Sequence, residues 1–154
     1  MSEEQDQQRD QEQDQEEDRP QDRQPARPEA ASQALHPARH HEQDCLFCRI
    51  ARGEIACKKV YEDEDILAFH DINPATPVHF LIIPKTHLVN LYDADLSQAP
   101  LLGKLFGMAG QLAREQGCLD GFRAVVNTGR VGRQEVYHLH IHVMGGSEPL
   151  RSGR

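Results

Sequence analysis

No apolar run in this 154-residue chain approaches the roughly 20 residues that a membrane-spanning helix needs. Nor is there a lysine- or arginine-rich stripe of the kind that tracks a nucleic-acid backbone, so a polymer partner of that class is not expected. The polar start has neither the apolar core of a signal peptide nor the Arg-rich amphipathic pattern of an organelle presequence, and the expectation is a cytoplasmic protein without a membrane partner. Cysteine is scarce, with four residues, and in a cytosolic chain these argue against a disulfide framework. There is no tryptophan and no internal repeat.

The first 25 residues have no aliphatic side chain beyond Met1 and hold ten acidic residues, three arginines and eight glutamines. Such a segment cannot bury enough apolar surface to offset its ordering entropy. Residues 1–43 are therefore expected to be a disordered acidic, Gln-rich tail and linker, residues 44–146 the folded domain, and residues 147–154 a short C-terminal tail. The tail also accounts for seven of the eight net negative charges, so the body is nearly neutral and the acidic balance says little about its partners.

Within the body, CLFCRIARGEI suggests a short helix or turn stopped at Gly53. Strands are expected near 58–62, in ILAFHD, in VHFLIIP, in GFRAVVNTG and in VYHLHIHVMGG. Between the third and fourth lies a helix over 98–116, with Ser97 as its cap, Gly117 as its end, and apolar positions 101, 102, 105, 106, 109, 112 and 113 at helical spacing. The order predicts an α+β fold: a five-stranded, mainly antiparallel sheet with one long helix.

In the last strand Tyr137, Leu139, Ile141 and Val143 face one way and His138, His140, His142 and Met144 the other. Three adjacent imidazoles would be unusual as core residues, because each buried ring needs partners for two nitrogens. Two chemistries compete. Alternating histidines can hold Zn²⁺, or one imidazole can attack phosphorus while its neighbours donate hydrogen bonds to the phosphate oxygens. The preceding loop, NTGRVGRQ, carries Gly129 and Gly132 and could cradle a phosphate with backbone N–H groups. Together these lean toward a phosphate ester or anhydride.

The run QEVYHLHIHVMGG, with CLFCRIARGEI, KKVYEDED, LAFHDINPATPVHFLIIPKTH and RAVVNTGRVGRQ, resembles the histidine-triad (HIT) family from Cys45 to Gly146, and most resembles its Hint branch, the purine nucleoside phosphoramidases. The resemblance implies a homodimer joining two five-stranded sheets into a ten-stranded arrangement, and hydrolysis of purine nucleoside 5′-monophosphoramidates at the α-phosphate through a nucleotidyl-histidine. It assigns His140 as nucleophile, His142 to the phosphate or leaving group, His138 as support, and His79 as a fourth histidine. On the nucleotide side it implies Asp71 at the ribose hydroxyls with Ile72 beside the sugar, Asn127 near the phosphate, the backbone of Gln134 at the phosphate, and Glu135 where eukaryotic members carry serine. Arg133 stands where those members have glycine. Alternatives are a dinucleoside polyphosphate hydrolase or nucleotidyl transferase, and a non-catalytic nucleotide-binding regulator.

Cys45 and Cys48 form a C-x-x-C pair, half of a tetrahedral zinc site. Resemblance to bacterial-type members adds His87 and His138, implying a closed, structural Zn²⁺ that leaves His140 free. Cys57 and Cys118 are expected to be ordinary small residues.

Overall fold

ILAFH and VHFLIIP are apolar at nearly every position, which marks strands covered on both faces. The computed structural model describes residues 42–151 and bears this out. The expected tail over 1–43 lies outside the described residues except for its end, where Glu42–Asp44 form a 3-10 turn.

Helix α1 (Leu46–Ala51) comes next, then β1 (Lys59–Glu62), β2 (Ile66–His70), β3 (Val78–Pro84), the long helix α2 (Ala99–Glu115), β4 (Phe122–Val125) and β5 (Ile141–Gly145). The strands form one sheet in the order β1-β2-β3-β5-β4, with every neighbouring pair antiparallel. The α+β class and the five-stranded sheet with one long helix are as the sequence predicts. Among the described residues no helix is long and apolar enough to cross a membrane.

One face of the sheet packs Ile66, Ala68, Phe80, Ile82, Ile141 and Val143 against Leu105, Ala109, Leu112 and Ala113 of α2. The other packs Leu67, Phe69, Leu81 and Ile83 against Cys45, Phe47, Cys48 and Ile50 at the start of α1. This second core is what makes β2 and β3 apolar throughout.

Three expectations are corrected. Ser97 does not cap the long helix: it lies inside a 3-10 turn, Leu96–Gln98, whose cap is Asp95, and the side chains of Asp95 and Gln98 bond reciprocally to backbone N–H groups in a capping box. Phe106 is exposed rather than in the core. The last strand begins at Ile141, not at Val136 or Tyr137, so of the triad only His142 lies in it. The ladder stops there because Pro84 has no N–H to offer, while Leu139 N–H turns aside to the Leu88 carbonyl at 2.6 Å.

Candidate active site and metal-ligand cluster

The triad lies on the face that α1 covers only in part. Leu81 on β3 pairs with His142 on β5, and His79 pairs with Met144, which places His79 and His142 diagonally on one face. His138 and His140 sit just before β5 and are buried. The Phe47 ring stands edge-on to both, with centroids 6.0 Å from His138 and 5.2 Å from His140. Phe47 was not singled out from the sequence, although its place between the two cysteines offered a signal.

Backbone partners fix which nitrogen of each ring carries hydrogen, since a carbonyl only accepts and an N–H only donates. His140 Nδ1–H donates to the His138 carbonyl at 2.6 Å, which leaves Nε2 with a free lone pair. His138 Nε2–H donates to the Pro84 carbonyl at 2.8 Å, so its Nδ1 lone pair faces the cysteines. Ala75 N–H donates to His79 Nδ1 at 3.0 Å, so the His79 hydrogen is on Nε2, which donates to His142 Nδ1 at 3.0 Å. His142 therefore carries its hydrogen on Nε2. One lone-pair nitrogen and one N–H donor result, on rings whose centroids are 4.8 Å apart.

The rings are also held neutral. Burial lowers the pKa of His140, opposed by its bond to the His138 carbonyl and by the carboxylates of Asp71 and Glu135. Burial first, and then the neighbouring His140 and His79, push His142 down to about 4. Asp71, His79 and His142 lie close enough to suggest a second metal site. The Ala75 bond argues against it, because a neutral His79 needs its hydrogen on Nε2, the very atom that would have to ligate.

The remaining candidates frame this centre. Asp71 is half-buried, with Oδ1 accepting from Asn73 N–H at 2.8 Å and Oδ2 lying 3.6 Å from His79 Nε2. Ile72 is 91% exposed, presenting an apolar surface to solvent. Asn127 is half-buried just beyond β4, and Glu135 is exposed. The loop between them is a tight, self-bonded turn. Gly129 and Arg133 both have positive φ, at 66° and 59°. A Cβ on Gly132 would stand 2.4 Å from the Thr128 carbonyl oxygen, so only glycine fits there. Gly129 N–H donates to Gln134 Oε1 at 2.9 Å, Arg133 N–H to the Arg130 carbonyl at 3.1 Å, and Gln134 N–H to the Gly129 carbonyl at 3.0 Å. The simple anion cradle expected from the two glycines is thus not available at these three groups.

The Gln134 side chain acts as a brace. Its Nε2 donates to the carbonyls of Val89 and Val136 at 2.6 and 3.0 Å, and its Oε1 accepts from Asn90 Nδ2 at 3.2 Å. Asn90, fully buried, was not identified from the sequence, where it reads as an ordinary loop residue after Pro84.

Four donor atoms converge at the other end of the triad. Cys45 Sγ and Cys48 Sγ lie 3.3 and 3.4 Å from His138 Nδ1, and His87 Nδ1 lies 3.1 Å from Cys48 Sγ and 3.3 Å from His138 Nδ1. Tetrahedral zinc with ordinary bond lengths separates such donors by roughly 3.3–3.8 Å. The Pro84 bond aims a lone pair inward and orients the ring as outer partners of metal-bound histidines do. Donor set and spacing fit a closed four-ligand centre. His87 Nε2 is buried without a partner, a cost of this arrangement.

Comparison with known proteins agrees with this geometry. The model of the HIT domain matches residues 52–149. Protein HitA of Neisseria gonorrhoeae is 49% identical over 102 residues, covering 66% of this chain and 95% of that protein. Among solved structures, a HIT family hydrolase from Legionella pneumophila is 46% identical with TM-score 0.66, covering 68% of this chain and 94% of its own. A histidine triad protein from Clostridium difficile is 39% identical with TM-score 0.68, covering 76% of this chain and all of its own. The chain belongs to the HIT family, and with its triad intact it is an enzyme, a HIT-family hydrolase.

Proposed function

We propose that the protein hydrolyses purine nucleoside 5′-monophosphoramidates and related nucleotide conjugates at the α-phosphate, as in the Hint branch. The observation that carries this reading is the tautomer pair, a lone pair on His140 Nε2 beside an N–H on His142. His140 Nε2 attacks the α-phosphorus, the phosphorus–nitrogen bond to the leaving amine breaks, and a nucleotidyl-histidine forms. The departing nitrogen takes a proton from water and leaves as the neutral amine, while His142 Nε2–H donates a hydrogen bond to a phosphate oxygen or to that nitrogen. Water then attacks phosphorus, the bond to His140 breaks with its electron pair returning to Nε2, and the nucleoside monophosphate leaves. Asp71 and Ile72 hold the ribose, Asn127 lies by the phosphate, and Gln134 shapes the loop that carries Glu135 to the leaving-group side.

Zinc held by Cys45, Cys48, His87 and His138 belongs to the same reading. When bound it supplies a cross-link between the domain's start and the segment that leads into its last strand, and takes no part in the chemistry. The working unit is a homodimer of 44–146 domains, supported by the exposed β4 edge and the exposed Phe106 and Phe122. Sedimentation at micromolar concentration tests that state, a monomer being the contrary result. For the activity, purified protein is incubated with adenosine 5′-phosphoramidate. AMP release above a no-enzyme control is expected, and its absence sinks the proposal. Cleavage of a dinucleoside polyphosphate instead would favour the polyphosphate alternative.

A further inference from the structure

Cys45 and Cys48 have a second chemistry open to them. Their sulfurs belong to a set of donor atoms that all lie within 4.8 Å of one another. Cys48 N–H lies 3.4 Å from Cys45 Sγ across the first turn of α1. A disulfide, with its sulfurs about 2.05 Å apart, therefore needs only local adjustment. Both sulfurs face one atom, His138 Nδ1. The backbone carbonyl of that same residue holds His140 Nδ1–H at 2.6 Å.

We propose that Cys45 and Cys48 form a reversible oxidation site for oxidants of the peroxide class, and that the disulfide form misplaces the His140 ring. Cys45 reacts first, being 8% exposed against 2% for Cys48. Its sulfur donates an electron pair to one peroxide oxygen, the oxygen–oxygen bond breaks, and hydroxide leaves to be protonated to water, giving a sulfenic acid. The Cys48 sulfur then attacks the Cys45 sulfur. The sulfur–sulfur bond forms, the sulfur–oxygen bond breaks, and the hydroxyl departs as water with the Cys48 proton. Two thiols are oxidised by two electrons, and one peroxide is reduced to two waters.

The disulfide no longer offers His138 Nδ1 a thiol hydrogen or a shared metal. The buried ring nitrogen thus loses both sulfur partners and keeps only His87 Nδ1, 3.3 Å away, and the ring moves toward it. The carbonyl that orients His140 moves with it. This consequence rests on His140 as the nucleophile; the oxidation itself does not.

The test treats full-length, metal-containing protein with hydrogen peroxide and compares it with the reduced form. A single tryptic peptide, residues 40–49, holds both cysteines, so mass spectrometry reads the disulfide as the loss of two hydrogens. Expected are that disulfide, release of bound zinc, at least tenfold lower turnover of adenosine phosphoramidate, and recovery with dithiothreitol and zinc. The His140 ring signals in NMR are followed in parallel, so that absence of turnover in the reduced protein sinks only the substrate reading. A peptide whose thiols both remain alkylatable overturns the proposal. So does a disulfide that leaves the His140 signals unmoved, or an oxidation that dithiothreitol does not reverse.

Discussion

His140 donates its Nδ1 hydrogen to the main-chain carbonyl of His138, two residues upstream, over 2.6 Å. The ring is thereby held with its lone pair on Nε2, so the nucleophile's tautomer is set by the chain that carries it. His140→Ala should lower kcat by at least about 10³-fold, the scale of losing a bond-forming group. Nucleotide affinity should change far less, because the groups around the ribose remain. Stopped-flow turnover and AMP titration check both, and near-normal kcat would refute the role.

His79 acts on the second ring. By accepting from Ala75 and donating to His142 it keeps the His142 hydrogen on Nε2. His79→Ala should reduce kcat about 10- to 100-fold, the usual range for partners one shell out. KM should move less than kcat, since the change falls on the chemical step. Steady-state kinetics with unchanged kcat would show that the tautomer needs no such partner.

Native His142 has a pKa pushed down to about 4 from an ordinary 6.5, with burial as the main cause. Between these values the unfolded chain binds a proton that the native chain does not, so this residue's contribution is complete above 6.5 and is lost as pH falls toward 4. His142→Gln should flatten the stability-against-pH curve in that window. Urea unfolding at a series of pH values measures it, and identical slopes for the two proteins would contradict the shift.

Cys45 supplies one of four converging donors, and Cys45→Ser should lower zinc content and melting temperature together. Elemental analysis of protein purified without chelator, beside a thermal melt, decides the matter. A zinc content near zero in the parent protein, with an unchanged melt in the variant, would leave the cysteines as packing residues.

Asn90 is buried and joins the segment after β3 to the loop before the triad through Gln134. Asn90→Ala leaves Gln134 Oε1 with one donor fewer and Tyr92 N–H without its acceptor. A loss of about 1–3 kcal/mol is expected from denaturant unfolding. A change well below that would mean that water replaces the amide.

Period-two alternation places Leu139, Ile141 and Val143 in the core under α2, because side-chain direction in an extended chain is a local property; Tyr137, on the same expected face, is only half-buried. The α+β class and the long helix are likewise legible in the periodicity, whereas the clustering of His79 with the triad follows only from the resemblance to the HIT family, and that of Cys45, Cys48 and His87 only from the resemblance to its bacterial-type members. The cap at Asp95 escapes the sequence because Asp95 and Ser97, on either side of Leu96, both have capping side chains, and only the turn geometry chooses between them.

What the tertiary structure decided is which atom of each histidine does what. His138 meets Pro84 and Cys45 from 54 and 93 residues away, and His142 meets His79 from 63 residues away. An imidazole has two nearly equivalent nitrogens, and nothing within the sequence of a single strand distinguishes them. For His138 and His142 the distinction comes from distant partners, the Pro84 carbonyl and the His79 ring, which exist as directional partners only once β3 and β5 are packed together; for His140 and His79 the partners are near in sequence, the His138 carbonyl and Ala75 N–H, and the folded turns decide which nitrogen meets them.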